Sequence, residues 1–167
     1  MTLQSVRAFL AEKAPDIEIL ELPESTATVA LAAAGHGVEP GQITKTLCLR
    51  IGDRAFLVVT RGDARLDNKK VKEAFGGKAK MPEAAEVEAL TGHPVGGVCP
   101  FGLATPLPIY CDVSLKAFDE VIPAAGSTHS ALRISPTRLA ALTEATWVDV
   151  MQAPMVEVST SASSSSV

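Results

Sequence analysis

At the start of the chain the apolar residues Leu3, Val6, Phe9 and Leu10 recur at helical spacing, between a Thr2 that can cap and a Pro15 that cannot continue, so an opening helix is predicted. Residues 17–22 then mix apolar Ile and Leu with Glu18 and Glu21 in near-alternation and read as a strand. Ser25 or Thr26 can cap a helix of small residues through Ala34, closed by Gly35 and Gly37. Two β-rich runs, 43–51 and 55–60, are joined by Gly52-Asp53-Arg54, a connection short enough for an antiparallel hairpin.

Asp67 or Asn68 can cap a helix through Phe75 that Gly76-Gly77 ends, and Pro82 suits the first position of another helix through Leu90. From Thr91 to Pro108 four glycines and four prolines exclude both a helix and a central strand, which leaves a shaped loop. Short strands are predicted at 109–113, 120–122 and 131–134, then a helix from Ser135-Pro136 through Leu139 and Leu142, then a strand at 147–151. Strands and helices do not alternate regularly, so the expectation is a mixed α+β domain over 1–158. The serine-rich stretch 159–167 has no face to bury and is expected to be disordered.

A chain of 167 residues suffices for one core, and with 47% hydrophobic but only 4% aromatic residues that core must be built from Ala, Val, Leu and Ile. No apolar run approaches the roughly 18 residues of a membrane span and no leader is evident, so a cytoplasmic protein is expected. Cys48, Cys99 and Cys111 are odd in number and lack metal-like spacing, which predicts reduced thiols. The net charge of −4 argues against a nucleic-acid partner until its distribution is considered. Between Arg61 and Lys80 seven basic residues, among them Lys69, Lys70 and Lys72, stand against three acidic ones. That segment is either a solvated helix face or a phosphate-binding surface.

The chain has no phosphate-binding P-loop, dinucleotide glycine fingerprint, His-Glu-x-x-His or Gly-x-Ser-x-Gly. His36, His93 and His129 are scattered, and no metal site is expected. In Ile43-Thr44-Lys45-Thr46-Leu47, strand alternation puts Lys45 on the same face as Ile43 and Leu47. A lysine there either extends its stem to the surface or meets an anion in a pocket. In Gly96-Gly97-Val98-Cys99-Pro100-Phe101-Gly102 the glycines allow close backbone approach and the proline stiffens the path. Its amides could hold a carbonyl or oxyanion, although a tight structural connection has the same composition. Cys99 could serve as a nucleophile with His93 or His129 as base, or as a small apolar residue.

As an ordered set these residues resemble the YbaK-like family, the free-standing relatives of the editing domain inserted in bacterial prolyl-tRNA synthetases. The carriers are the Thr- and Ala-rich segment 26–37, the Lys45 strand motif, 66–72, and Thr91-Gly92 followed by the loop 96–102. Ala125-Gly126-Ser127-Thr128-His129 and 133–139 complete the set. The resemblance implies a β-barrel-like mixed sheet surrounded by helices, with a pocket for the aminoacylated 3′ end of tRNA. It implies Lys45 as the key residue and the Gly96, Gly97, Val98, Cys99, Pro100 loop beside the aminoacyl carbonyl. Thr28, Thr46, Phe101, Gly102, Gly126 and His129 are then expected to contact substrate, and Lys69, Lys70 and Lys72 the tRNA. Cys99 stands where serine is frequent in the family, and Ser127 where a second glycine often follows Gly126.

The reading is a hydrolase, without metal or organic cofactor, that removes a small non-cognate amino acid (Ala, Cys, Ser or Thr) from tRNA, with tRNA-Pro the carrier and prolyl-tRNA synthetase a candidate partner. Its rivals are a non-catalytic module that binds aminoacyl-tRNA or a synthetase, and a Cys99-dependent hydrolase of a small ester.

Overall fold

A computed structural model describes residues 2–94 and 96–152, and the stretch 159–167 lies outside them. Among the described residues, helices α1 (Thr2–Lys13), α2 (Val29–His36), α3 (Asn68–Phe75), α4 (Ala84–Thr91) and α5 (Pro136–Thr143) surround a mixed sheet. The strands are β1 (Leu20–Glu21), β2 (Thr44–Ile51), β3 (Arg54–Arg61), β4 (Ile109–Asp112), β5 (Ser130–Ala131) and β6 (Thr146–Val148).

β2 and β3 form the expected hairpin, paired antiparallel from Thr44 opposite Arg61 to Ile51 opposite Arg54, with Gly52 at φ 60° in the turn. β4 joins β3 in parallel, and β6 joins β4 in parallel, which gives the order β2-β3-β4-β6. Parallel neighbours need long crossovers. The first carries α3, α4 and the glycine-proline loop, and the second carries α5. Beyond β2 the sheet continues through single bridges: Ile43 to Ile122, Val121 to Ile134 and Ala124 to Ala131. Ala131 in turn belongs to β5, which pairs antiparallel with β1. These bridges link the two-stranded β1-β5 pair to the β2 edge of the four-stranded sheet.

One face of the sheet packs Val59 and Cys111 against Val6 and Leu10 of α1 and Leu139 of α5. The other packs Leu49, Phe56 and Val58 against Val71 of α3, with Phe75 stacking on Phe56 at 4.5 Å. A smaller cluster seats Ala32 and Ala33 of α2 on Ile43, Ile122 and Ala131. Alanine at both contact positions lets the helix approach the strand closely.

Several boundaries differ from expectation for local reasons. α2 begins at Val29, because Thr28 is its cap and accepts from the Leu31 amide at 3.1 Å, while the Thr26 hydroxyl reaches the Thr128 carbonyl instead. The helix runs through Gly35 and stops at Gly37, whose φ of 69° places it in the left-handed region. Pro82 lies ahead of α4, whose cap is Glu83. The run 17–22 narrows to β1, since β5 offers only two partners. Val113 leaves β4 to open a 3-10 turn capped by Asp112. The expected strands 120–122 and 131–134 are single bridges apart from Ala131, and past Val148 only Met151 bridges, to Leu66.

Candidate active site

The hairpin presents its first residues to a cavity. On β2, Leu47, Leu49 and Ile51 share the face packed on α3, and Lys45 stands on that same side, as alternation requires. Its ammonium donates to the carbonyl of Ala64 in the turn that follows β3. Burial pushes the Lys45 pKa below its ordinary value, the nearby Asp63 carboxylate offsets part of that shift, and Arg65 adds to it. An ammonium carries three donors, so the Ala64 contact leaves two for a ligand.

Lys45 lines a pocket of about 220 Å³ together with Ile43, Thr44 and Thr46. A second wall is the lead-in and first turns of α2: Thr26, Ala27, Thr28, Val29 and Ala32. Gly96 and Val98 supply a third, and the return segment closes the space with Ile122, Ala124, Ser130 and Ala131. The pocket is therefore apolar in its walls, with hydroxyls from threonine and serine and one cation at its edge. The α2 N-terminus lies on the same rim, its Leu31 amide taken by the Thr28 cap, and the helix dipole adds to the preference for negative charge.

Glycine at 96 and 97 is a steric requirement. Gly96 has φ 91°, and a Cβ there would lie 2.8 Å from the Ala27 Cβ. At Gly97 a Cβ would fall 2.8 Å from the Ser127 nitrogen. A main-chain bond ties the loop to the return segment, Gly126 N–H donating to the Gly97 carbonyl at 3.2 Å, and another ties that segment to the lead-in of α2, Thr26 N–H donating to the Thr128 carbonyl at 2.6 Å. The Gly97 amide itself is committed to the Pro94 carbonyl at 2.9 Å.

The structure brings Thr28, Lys45, Thr46, Gly96 and Val98 together from the set singled out in the sequence. Gly97 and Gly126 stand behind the wall and shape it. Cys99, Pro100, Phe101 and Gly102 turn away from it. Phe101 is fully buried and its ring is 5.9 Å from that of Phe9, while Gly102 packs against Ser5 and Val6 of α1. The expectation that Phe101 and Gly102 contact substrate is corrected accordingly: both anchor the loop to α1. His129 is exposed, with Nδ1 2.9 Å from the Thr128 hydroxyl, and does not line the pocket.

The Cys99-nucleophile reading is also corrected. The thiol lies 3.6 Å from His93 Nε2, a pairing that the spacing did not suggest, but both residues are 0% exposed. Burial pushes the thiol up to about 12 and the His93 imidazole down, so both sit neutral where no substrate reaches. The buried Asp112 carboxylate is likewise occupied, accepting from Val150 N–H at 2.7 Å and Ser114 N–H at 2.9 Å. No group of three or more His, Cys, Asp or Glu residues that could hold a metal stands together among the described residues.

On α3, Lys69 and Lys72 are exposed, whereas Lys70 bonds Asp149 at 3.1 Å and the Met151 carbonyl at 3.0 Å. Grouping the three as equivalent anion contacts is therefore revised. Sequence reasoning missed Ile122, Ala124, Ser130 and Ala131, whose only signal is small or β-branched character, and Thr44, which looked like an ordinary strand residue.

The family model of the aminoacyl-tRNA editing domain matches residues 23–142, a span that contains every wall of the pocket. YwhH of Bacillus subtilis, a protein of uncharacterised function, is 44% identical over 90% of this chain and 97% of its own length. EbsC of Enterococcus faecalis, described as a candidate Cys-tRNA(Pro)/Cys-tRNA(Cys) deacylase, is 29% identical over 71% of this chain and 73% of its own. A crystal structure of a candidate trans-editing enzyme for prolyl-tRNA synthetase superposes with a TM-score of 0.84 at 36% identity, covering 91% of this chain and 98% of that one. The chain also matches 20% of the length of the proline–tRNA ligase of Bacillus licheniformis, at 32% identity. With its fold and most of its length in common with such proteins, the chain belongs to the aminoacyl-tRNA editing domain family, in its YbaK-like branch.

Proposed function

We propose that this protein is a trans-acting editing hydrolase that cleaves the ester between a small non-cognate amino acid and the 3′-terminal ribose of tRNA, with tRNA-Pro as carrier and water as acceptor. The observation that carries the reading is the convergence of Lys45, the α2 N-terminus and the Gly96–Val98 backbone on one pocket of about 220 Å³, room for an aminoacyl group and little more.

In this reading Lys45 holds the terminal ribose-phosphate, through a charge-assisted bond that its two remaining donors can make. The amides of Gly96 and Val98 polarise the ester carbonyl and stabilise the oxyanion as water adds. The ester carbon becomes tetrahedral, the bond to the ribose oxygen breaks, and that oxygen leaves with a proton. Among the described residues no side chain apart from Lys45 that could serve as a base lines the pocket, so the substrate's neighbouring 2′-hydroxyl orients the water and relays its proton to the departing ribose oxygen. Lys69 and Lys72 contribute outer contacts to tRNA phosphates.

Incubating the protein with a panel of mischarged tRNAs and measuring release of free amino acid tests this directly. Release from small-residue tRNAs that disappears in Lys45→Ala is expected. Tight binding without release would favour the non-catalytic module.

A further inference from the structure

Among the described residues that line the pocket, one buried side-chain polar atom has no partner in the fold. Thr44 is only 6% exposed and lines the cavity, yet its hydroxyl Oγ1 has no hydrogen-bond partner among the described residues. Its main-chain N–H is engaged, donating to the Ile122 carbonyl at 3.1 Å. The other pocket hydroxyls differ: Thr26 bonds the Thr128 carbonyl at 3.1 Å, Ser130 bonds Ser127 at 2.7 Å, Thr28 caps α2, and Thr46 is only half-buried. Buried polar groups are normally paired, and an orphan costs the full desolvation of the group. Valine would fill the same volume on a strand at no such cost. A threonine here is explained if the ligand supplies the missing partner.

Thr44 lies on the opposite face of β2 from Lys45, which holds the cavity's edge through Ala64. Ile43 precedes Thr44 and Ile122 accepts from the Thr44 N–H, and with Ala124 and Ala131 these make the apolar part of the cavity lining. A ligand whose ribose-phosphate meets Lys45 therefore brings its amino-acid side chain, the end farthest from the phosphate, toward this apolar cage. We propose that Thr44 reads that side chain, so that the pocket selects a short residue ending in a hydrogen-bonding group, serine or cysteine, over alanine of similar size. This rests on the editing reading above and names its substrate class. A hydroxyl can donate or accept, so it pairs with either a side-chain O–H or an S–H. A site built to pair with such a group discriminates against the analogue that lacks it more strongly than size alone allows.

The test compares seryl-, cysteinyl- and alanyl-tRNA as substrates for the intact protein and for Thr44→Val, Thr44→Ser and Thr44→Ala. Expected is a wild-type preference in kcat/KM for seryl or cysteinyl over alanyl ester. That ratio should fall about 10- to 100-fold in Thr44→Val and Thr44→Ala and be retained in Thr44→Ser. The same comparison made by binding the non-hydrolysable 3′-seryl- and 3′-alanyl-amide analogues of adenosine reads the preference without turnover. A seryl preference in binding with no hydrolysis would sink the deacylase reading and leave Thr44 as the selector. An unchanged ratio in both Thr44→Val and Thr44→Ala, or a wild type that favours alanyl substrates, would overturn the proposal.

Discussion

The Lys45 ammonium is seated on the main-chain carbonyl of Ala64, so the position of the cation is set by backbone and not by a competing carboxylate. A carbonyl acceptor holds the amine in place without neutralising it. Lys45→Ala is therefore expected to lower kcat/KM for deacylation about 100-fold or more. It should cost stability only about 1 kcal/mol, the net worth of one hydrogen bond. Single-turnover deacylation beside thermal unfolding checks both, and wild-type rates in a folded mutant would remove Lys45 from the mechanism.

The pH profile should carry the mark of the same residue. Burial holds the Lys45 pKa below its ordinary value of 10.5, so the ammonium is lost at a lower pH than an exposed lysine would lose it. Activity, corrected for spontaneous ester hydrolysis, should fall on an alkaline limb below pH 10.5. Stability should move the other way: charging Lys45 costs the folded state, and that cost is relieved as pH rises through the folded pKa toward the unfolded one. In Lys45→Arg any remaining activity should lack the limb, since guanidinium stays charged.

Gly97→Ala places a methyl group against the Ser127 backbone, at 2.8 Å from its nitrogen, where no side chain can swing aside. A loss of about 1 to 3 kcal/mol in denaturant unfolding is expected, from overpacking against backbone, with deacylation falling further than stability because the wall itself shifts. Full activity in this variant would mean that the loop does not shape the site.

Reversing charge at Lys69 and Lys72 should raise KM for tRNA and flatten its dependence on salt, because fewer counterions are released on binding, while kcat at saturation changes little. Reversing Lys70 alone should act differently, since its partners are Asp149 and the Met151 carbonyl. It should loosen the end of the described chain and leave the salt slope nearly unaltered. Equal effects from all three would return Lys70 to the tRNA surface.

Cys99→Ser should deacylate within about fivefold of wild type, because a thiol held at about 12 and sealed from solvent is no nucleophile. Native protein should likewise resist alkylation at Cys99 until it is unfolded. Loss of all turnover with the fold intact would restore the thiolate mechanism.

What the sequence revealed is what local physics decides. Asp67 before a basic helix and Gly76 after it set α3 correctly, because a cap and a left-handed stop each act within one turn. The face of Lys45 followed from period-two alternation alone. Pro82 misled because a proline suits several positions near a helix start, and the chain placed it just outside. The parallel pairing of Leu57 with Ile109, and the bridge of Ile43 to Ile122, connect segments with no complementary pattern to betray them. The direction of Cys99 was illegible for the same reason: whether a loop side chain faces a pocket or a core depends on what α1 brings against Phe101.

The pocket's walls are drawn from residues as far apart as Thr26 and Ala131, and they are joined by main-chain bonds such as Thr26 to Thr128 and Gly126 to Gly97. Contacts so distant in sequence form late, after the cost of closing long loops has been met. A growing chain would thus carry its Lys45 hairpin through much of synthesis without any binding site around it. Capacity to engage a charged tRNA would arrive all at once, only when the segment around Ala131 has folded back across α2.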